Sequence, residues 1–122
     1  MKKPTVWVVK EQMLRGDLGS IAMDYGPAML YGDLQFITHQ DMPLHPGSSV
    51  QQVWDSEVDR FAREYNPQTD FIIPTGQPMA IFCVGWWLGM VGKMPRFLVW
   101  RPQENQYRVV CFTGAMAFPA TA

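Results

Sequence analysis

Cysteine is scarce in this chain, with Cys83 and Cys111 the only two. That is too few for a disulfide framework. Both stand inside apolar runs, which predicts buried thiols in a reducing compartment and so a cytoplasmic protein. Charge is scarce too, at 17% of residues, and nearly balanced at a net −1. A chain without an excess of Lys and Arg lacks the usual footprint of a nucleic-acid binder. No long apolar run is present. The longest uncharged candidate, Met79 to Val91, falls well short of the ~20 residues that a membrane-spanning helix needs. After Met1-Lys2-Lys3-Pro4 only a short apolar stretch precedes Lys10, which does not read as a signal peptide.

What is present is a heavy apolar load. Of 122 residues 48% are hydrophobic and 13% aromatic, with nine Met among them. This composition belongs to one globular domain, residues 1–122, with part of the load left for an interface.

Hydrophobic patterning predicts strands near 5–10, 34–38, 70–74, 96–101 and 107–112. Helices are expected near 49–65 and 78–91. Residues 11–33 carry Gly16, Gly19, Gly26, Pro27 and Gly32, a density that points to turns and short helical pieces. The tail from Thr113 to Ala122 reads as irregular. In the first helix Ser49 and Gln52 have capping-box spacing. Val50, Trp54, Val58, Phe61 and Tyr65 form an apolar stripe, and Asp59–Arg63 and Arg60–Glu64 are charge pairs on the solvated side. Pro78 suits a first helical position and Gly92 a C-terminal cap. Strand–helix–strand twice in succession implies parallel pairing. The expected fold is α/β, a Rossmann-like open and mostly parallel sheet with an antiparallel C-terminal edge hairpin.

In such a sheet ligands bind beyond the carboxyl ends of the strands. Three strand ends converge there: Thr38, His39, Gln40 and Asp41; Thr75, Gly76 and Gln77; Trp100 and Arg101. The Thr75-Gly76-Gln77-Pro78 turn into a helix could present free N–H groups to an anion. It lacks the glycines of a dinucleotide fingerprint and the Lys of a P-loop, so an efficient strand-to-helix turn explains it as well. His39, Asp41 and His45 include metal-ligand types, but their spacing fits no metal motif, and no metal is expected. His39 oriented by Asp41 would suit a general base, though a loop histidine satisfied by backbone or water is the commoner outcome. No Ser or Cys sits in a nucleophile elbow. Arg15-Gly16-Asp17 is a chance tripeptide. Lys93, Arg96, Arg101 and Arg108 interleave with Trp100 and Tyr107, a pattern that can bind single strands but that also keeps an edge hairpin soluble.

The unit strand–Thr75-Gly76-x-Pro78–helix, followed by Leu98-Val99-Trp100-Arg101 and Tyr107, resembles small uncharacterised bacterial and bacteriophage α/β proteins. The resemblance covers the last third of the chain. It implies no activity and carries over no catalytic residue.

Two functions follow as expectations. One is a nucleotide or other anionic small ligand bound at the sheet edge by His39, Asp41, Thr75, Gly76, Gln77 and Arg101, with no resident cofactor. The alternative is a protein-interaction or inhibitory accessory protein without catalysis. Whether the chain is an enzyme is left open, since no catalytic constellation is complete. The 78–91 helix adds a third expectation. It is apolar all round, so both faces need cover. Either the 11–33 segment, with Met13, Leu14, Leu18, Ile21, Met23, Met29 and Leu30, folds over it, or the chain forms a homo-oligomer through it.

Overall fold

The computed structural model describes residues 3–10, 13–16, 19–22, 25–43 and 45–111, with the side chains of 13–16 and 19–22 outside the description. Strand β1 (Thr5–Lys10) is followed by β2 (Met13–Gly16) and β3 (Gly19–Ala22), a 3-10 helix (Gly26–Leu30) and β4 (Asp33–Thr38). Then come α1 (Ser49–Glu64), β5 (Phe71–Ile73), α2 (Pro78–Met90), β6 (Arg96–Arg101) and β7 (Gln106–Cys111). One five-stranded sheet has the order β4-β1-β5-β6-β7. Its first four strands are parallel, and β7 runs antiparallel to β6. The α/β class, the strand positions and the antiparallel edge hairpin agree with the sequence reading.

The segment between β1 and β4 differs. Its glycines predict turns, yet Gly16 and Gly19 sit opposite each other at one end of an antiparallel β2–β3 pair. Met13 pairs with Ala22, Leu14 with Ile21 and Arg15 with Ser20. The expectation for the tail at 113–122 lies outside the described residues.

Alternation along the strands sorts side chains onto two faces. Trp7, Val9, Ile37 and Ile72 face α1 and α2 and pack with Trp54, Val58, Phe61, Ala62, Tyr65, Ala80, Val84 and Leu88. Val6, Val8, Phe71, Ile73, Leu98 and Tyr107 face the other way and pack with Tyr25 and Ala28 around the 3-10 helix. This split follows from the strand order. The β1-to-β4 connection moves across the sheet in the opposite sense to the two helical connections, so right-handed crossovers place them on opposite faces. Interior strand β1 is shielded on both sides and is apolar almost throughout.

Local chemistry fixes the helix ends. Ser48, not Ser49, caps α1: its hydroxyl accepts from the Gln51 amide at 3.1 Å, and Gln51 Oε1 in turn accepts from the Gly47 amide. The sequence offers both Ser48…Gln51 and Ser49…Gln52 at the same spacing. The left-handed turn at Gly47, with φ of 78°, selects the earlier pair. At the other end of α1, Lys93 Nζ donates to the carbonyls of Ala62, Arg63 and Tyr65 at 2.7, 2.9 and 2.8 Å. A cation with three donors is well matched to the unpaired carbonyls and negative pole of a helix C-terminus. Lys93 is delivered there by the turn that ends α2, where Gly92, with φ of 77°, lets the amides of Gly92 and Lys93 donate back to Gly89 and Leu88.

Candidate functional site

The carboxyl-terminal edge of the sheet is tied together by its own polar groups. Strand β1 ends at Lys10, whose ammonium lies 3.1 Å from Asp41 Oδ1 beyond the end of β4. Thr75, beyond the end of β5, donates its hydroxyl to the Lys10 carbonyl at 3.1 Å. Gly76 has a φ of 112°, a backbone angle that disfavours any side chain. Gln77 stands at the N-cap of α2, yet its Oε1 accepts from the Met42 amide at 2.9 Å and so bridges the loops after β4 and β5. With Gln77 committed there and Pro78 at the first helical position, the first turn of α2 has no side-chain cap.

The structure thus brings Asp41, Thr75, Gly76 and Gln77 together around Lys10. Lys10 was not among the residues expected at the site; the signal for it was a cation closing the apolar run of β1. His39 turns away towards α1, with Nε2 3.9 Å from Glu57 Oε2, and is largely exposed. Arg101 is exposed at the β6–β7 turn, paired in register with Gln106. No described contact joins it to the Lys10 cluster. His39, Asp41 and His45 do not converge: among the described residues no three potential ligands lie close enough to hold a metal.

The polar flank of α1, expected as a plainly solvated face, borders an open concavity of about 530 Å³ lined by Ser49, Gln52, Val53, Ser56, Glu57 and Arg60. Glu57 Oε2 is buried there without a hydrogen-bond partner among the described residues.

The basic hairpin is largely spoken for. Lys93 caps α1, and Arg96 donates to the Gln68 carbonyl and lies over the Phe71 ring, 4.2 Å from its centroid. Arg108 is paired with Glu104 at 2.7 Å. Of the two thiols, Cys83 is half-buried and Cys111 is exposed. The expectation of two buried thiols is therefore corrected. Strand β7 is outermost in the sheet, and of its residues only Tyr107 is buried.

The outer face of α2 carries four of the exposed large apolar side chains. Ala80, Val84 and Leu88 point inward, while Met79, Phe82, Trp86 and Met90 are 55, 74, 60 and 65% exposed. Beside them Gly85 and Gly89 open onto space: apart from their own helix backbone and chain neighbours, no described atom lies within 4 Å of where a Cβ would stand. Met29 and Leu30, two of the residues expected as cover for this helix, are themselves exposed, and their 3-10 helix belongs to the opposite face of the sheet; the side chains of Met13, Leu14, Leu18, Ile21 and Met23 lie outside the description. No helix of the described residues is long and apolar enough to cross a membrane.

A family model described as phage Pam3 gp32-like protein matches residues 4–113, far more of the chain than the C-terminal resemblance covers. No curated protein and no solved structure matches the chain.

Proposed function

This chain belongs to the phage Pam3 gp32-like protein family, and we propose that it acts without catalysis, as a protein-interaction module docking through the outer face of α2. The observation that carries this reading is the exposure of Met79, Phe82, Trp86 and Met90 on a helix that has no charged residue. A helix that packs on a sheet and faces water is normally polar on its outer side, as α1 is. Contiguous apolar surface of this extent is costly to leave in water and marks contact sites. The test is a photo-crosslinking side chain at Phe82, compared with one at Asp55 on the polar side of α1, in the cell that makes the protein. Position 82 should give a discrete covalent protein adduct and position 55 none. Absence of an adduct at 82, or equal labelling at both positions, overturns the reading.

A second reading is a nucleotide or other anionic small ligand at the carboxyl-terminal edge of a Rossmann-like sheet. It is supported by the uncapped first turn of α2 beside Lys10, Thr75 and Gly76, and by the reversal of strand order at β1, whose neighbours are β4 and β5. Such a reversal is where open α/β sheets open a crevice. A ligand seated there stabilises by mass action. ADP, cyclic AMP or inorganic phosphate at millimolar concentration should then raise the melting temperature by several degrees, and Gly76→Val should remove the increment. A flat response to all three refutes it.

A further inference from the structure

We infer that the partner of the α2 face is a second copy of this chain, in a two-fold dimer that packs α2 against α2. This rests on the interaction reading above and specifies its occupant. Three properties of the face favour self-pairing.

The first is shape. Phe82, Trp86 and Met90 recur every four residues and form a bulky ridge. Gly85 and Gly89 have the same spacing and form a groove beside it, with open space above both glycines. Ridges and grooves along rows of four interdigitate when two helices cross at roughly −50°. A two-fold axis sets the ridge of each copy into the glycine groove of the other, so one surface supplies both halves of the fit.

The second is charge. From Pro78 to Met90 the helix carries no Asp, Glu, Lys, Arg or His. Apposing the face with itself therefore meets no like-charge repulsion and leaves no buried ion unpaired.

The third is area. A large apolar side chain presents on the order of 200 Å² when fully exposed. The exposures of Met79, Phe82, Trp86 and Met90, with Met94 beside Gly89 at 38%, then amount to roughly 600 Å² per copy. That is about 1,200 Å² for the pair, the lower end of the range for a specific, stable interface.

Sedimentation equilibrium of the purified full chain tests the inference. At micromolar concentration the mass should be twice the 14.0 kDa of one chain. Trp86→Glu should weaken self-association at least a hundredfold. Gly89→Leu adds apolar surface while filling the groove. It should still weaken association at least tenfold, whereas a non-specific apolar contact would be strengthened. Val50→Glu, at an exposed site on α1, should change nothing, and circular dichroism checks that each variant is folded. A wild-type monomer at high concentration, or tighter association in Gly89→Leu, overturns the dimer. If that monomer shields Trp86 from acrylamide, another segment of the same chain covers the face. If the chain is monomeric while position 82 captures a different protein, the dimer fails and the interaction reading stands. If neither dimer nor adduct forms, both fall.

Discussion

Asp70→Ala should cost this protein roughly 3–5 kcal/mol of folding stability, because it strips the acceptor from a buried donor cluster. Oδ1 of Asp70 accepts from the Thr5 amide and the Thr69 hydroxyl, both at 3.0 Å. Oδ2 accepts from the Trp7 indole at 3.1 Å and the Asn66 amide at 3.0 Å. One buried carboxylate thereby ties the start of β1 to the start of β5 and to the loop leaving α1. Asp70→Asn should be nearly as damaging, since either orientation of the amide turns its NH2 towards two donors.

Burial acts to raise the Asp70 pKa, but hydrogen bonds from Asn66, Thr5, Trp7 and Thr69 outweigh it and hold the carboxyl below the usual aspartate value. The sign of the linkage follows. A depressed folded-state pKa contributes stability that is fully present above the unfolded value of about 4 and is lost as pH falls through the folded value. Urea denaturation followed by tryptophan fluorescence should show the wild type losing stability below about pH 4, with a shallower decline in Asp70→Asn. Equal stability of wild type and variant at pH 7 would contradict this account.

Gly32→Ala should be comparably severe, at about 2–4 kcal/mol. A Cβ at position 32 would stand 2.3 Å from the carbonyl oxygen and 2.7 Å from the carbonyl carbon of Pro4. These are backbone atoms and cannot swing aside. The same Pro4 carbonyl accepts from the Asp33 amide at 3.0 Å, where β4 comes alongside β1. Relieving the clash means separating the two strands at their start, which also weakens that bond. Thermal unfolding should show a drop of many degrees. A change within one degree would mean that the chain entering β1 yields more readily than its packing indicates.

How much of this was legible in the sequence depends on the range of the interactions involved. Strands β1, β4, β5, β6 and β7 and both long helices were readable, because hydrophobic periodicity, Pro78 and Gly92 act within a few residues of chain. Parallel pairing followed from the alternation of strands and helices. The apolar character of α2 was readable as well, since no partner is needed to see that it lacks charge. The expected cap at Ser49 was one residue late, because Ser48…Gln51 offers the same spacing as Ser49…Gln52 and only the turn at Gly47 separates them. Nor could it foresee that Lys93 would spend its charge on the carbonyls of α1, or that Asp70 would collect donors from residues 63 and 65 positions away. Such contacts depend on where the chain returns in space, and no local pattern encodes that. At the sheet edge the sequence placed Asp41, Thr75, Gly76 and Gln77 just beyond the ends of two strands. The tertiary structure added Lys10, turned His39 aside towards Glu57 and left Arg101 apart at the hairpin turn, because strand order and strand length, not residue type, decide which strand ends meet.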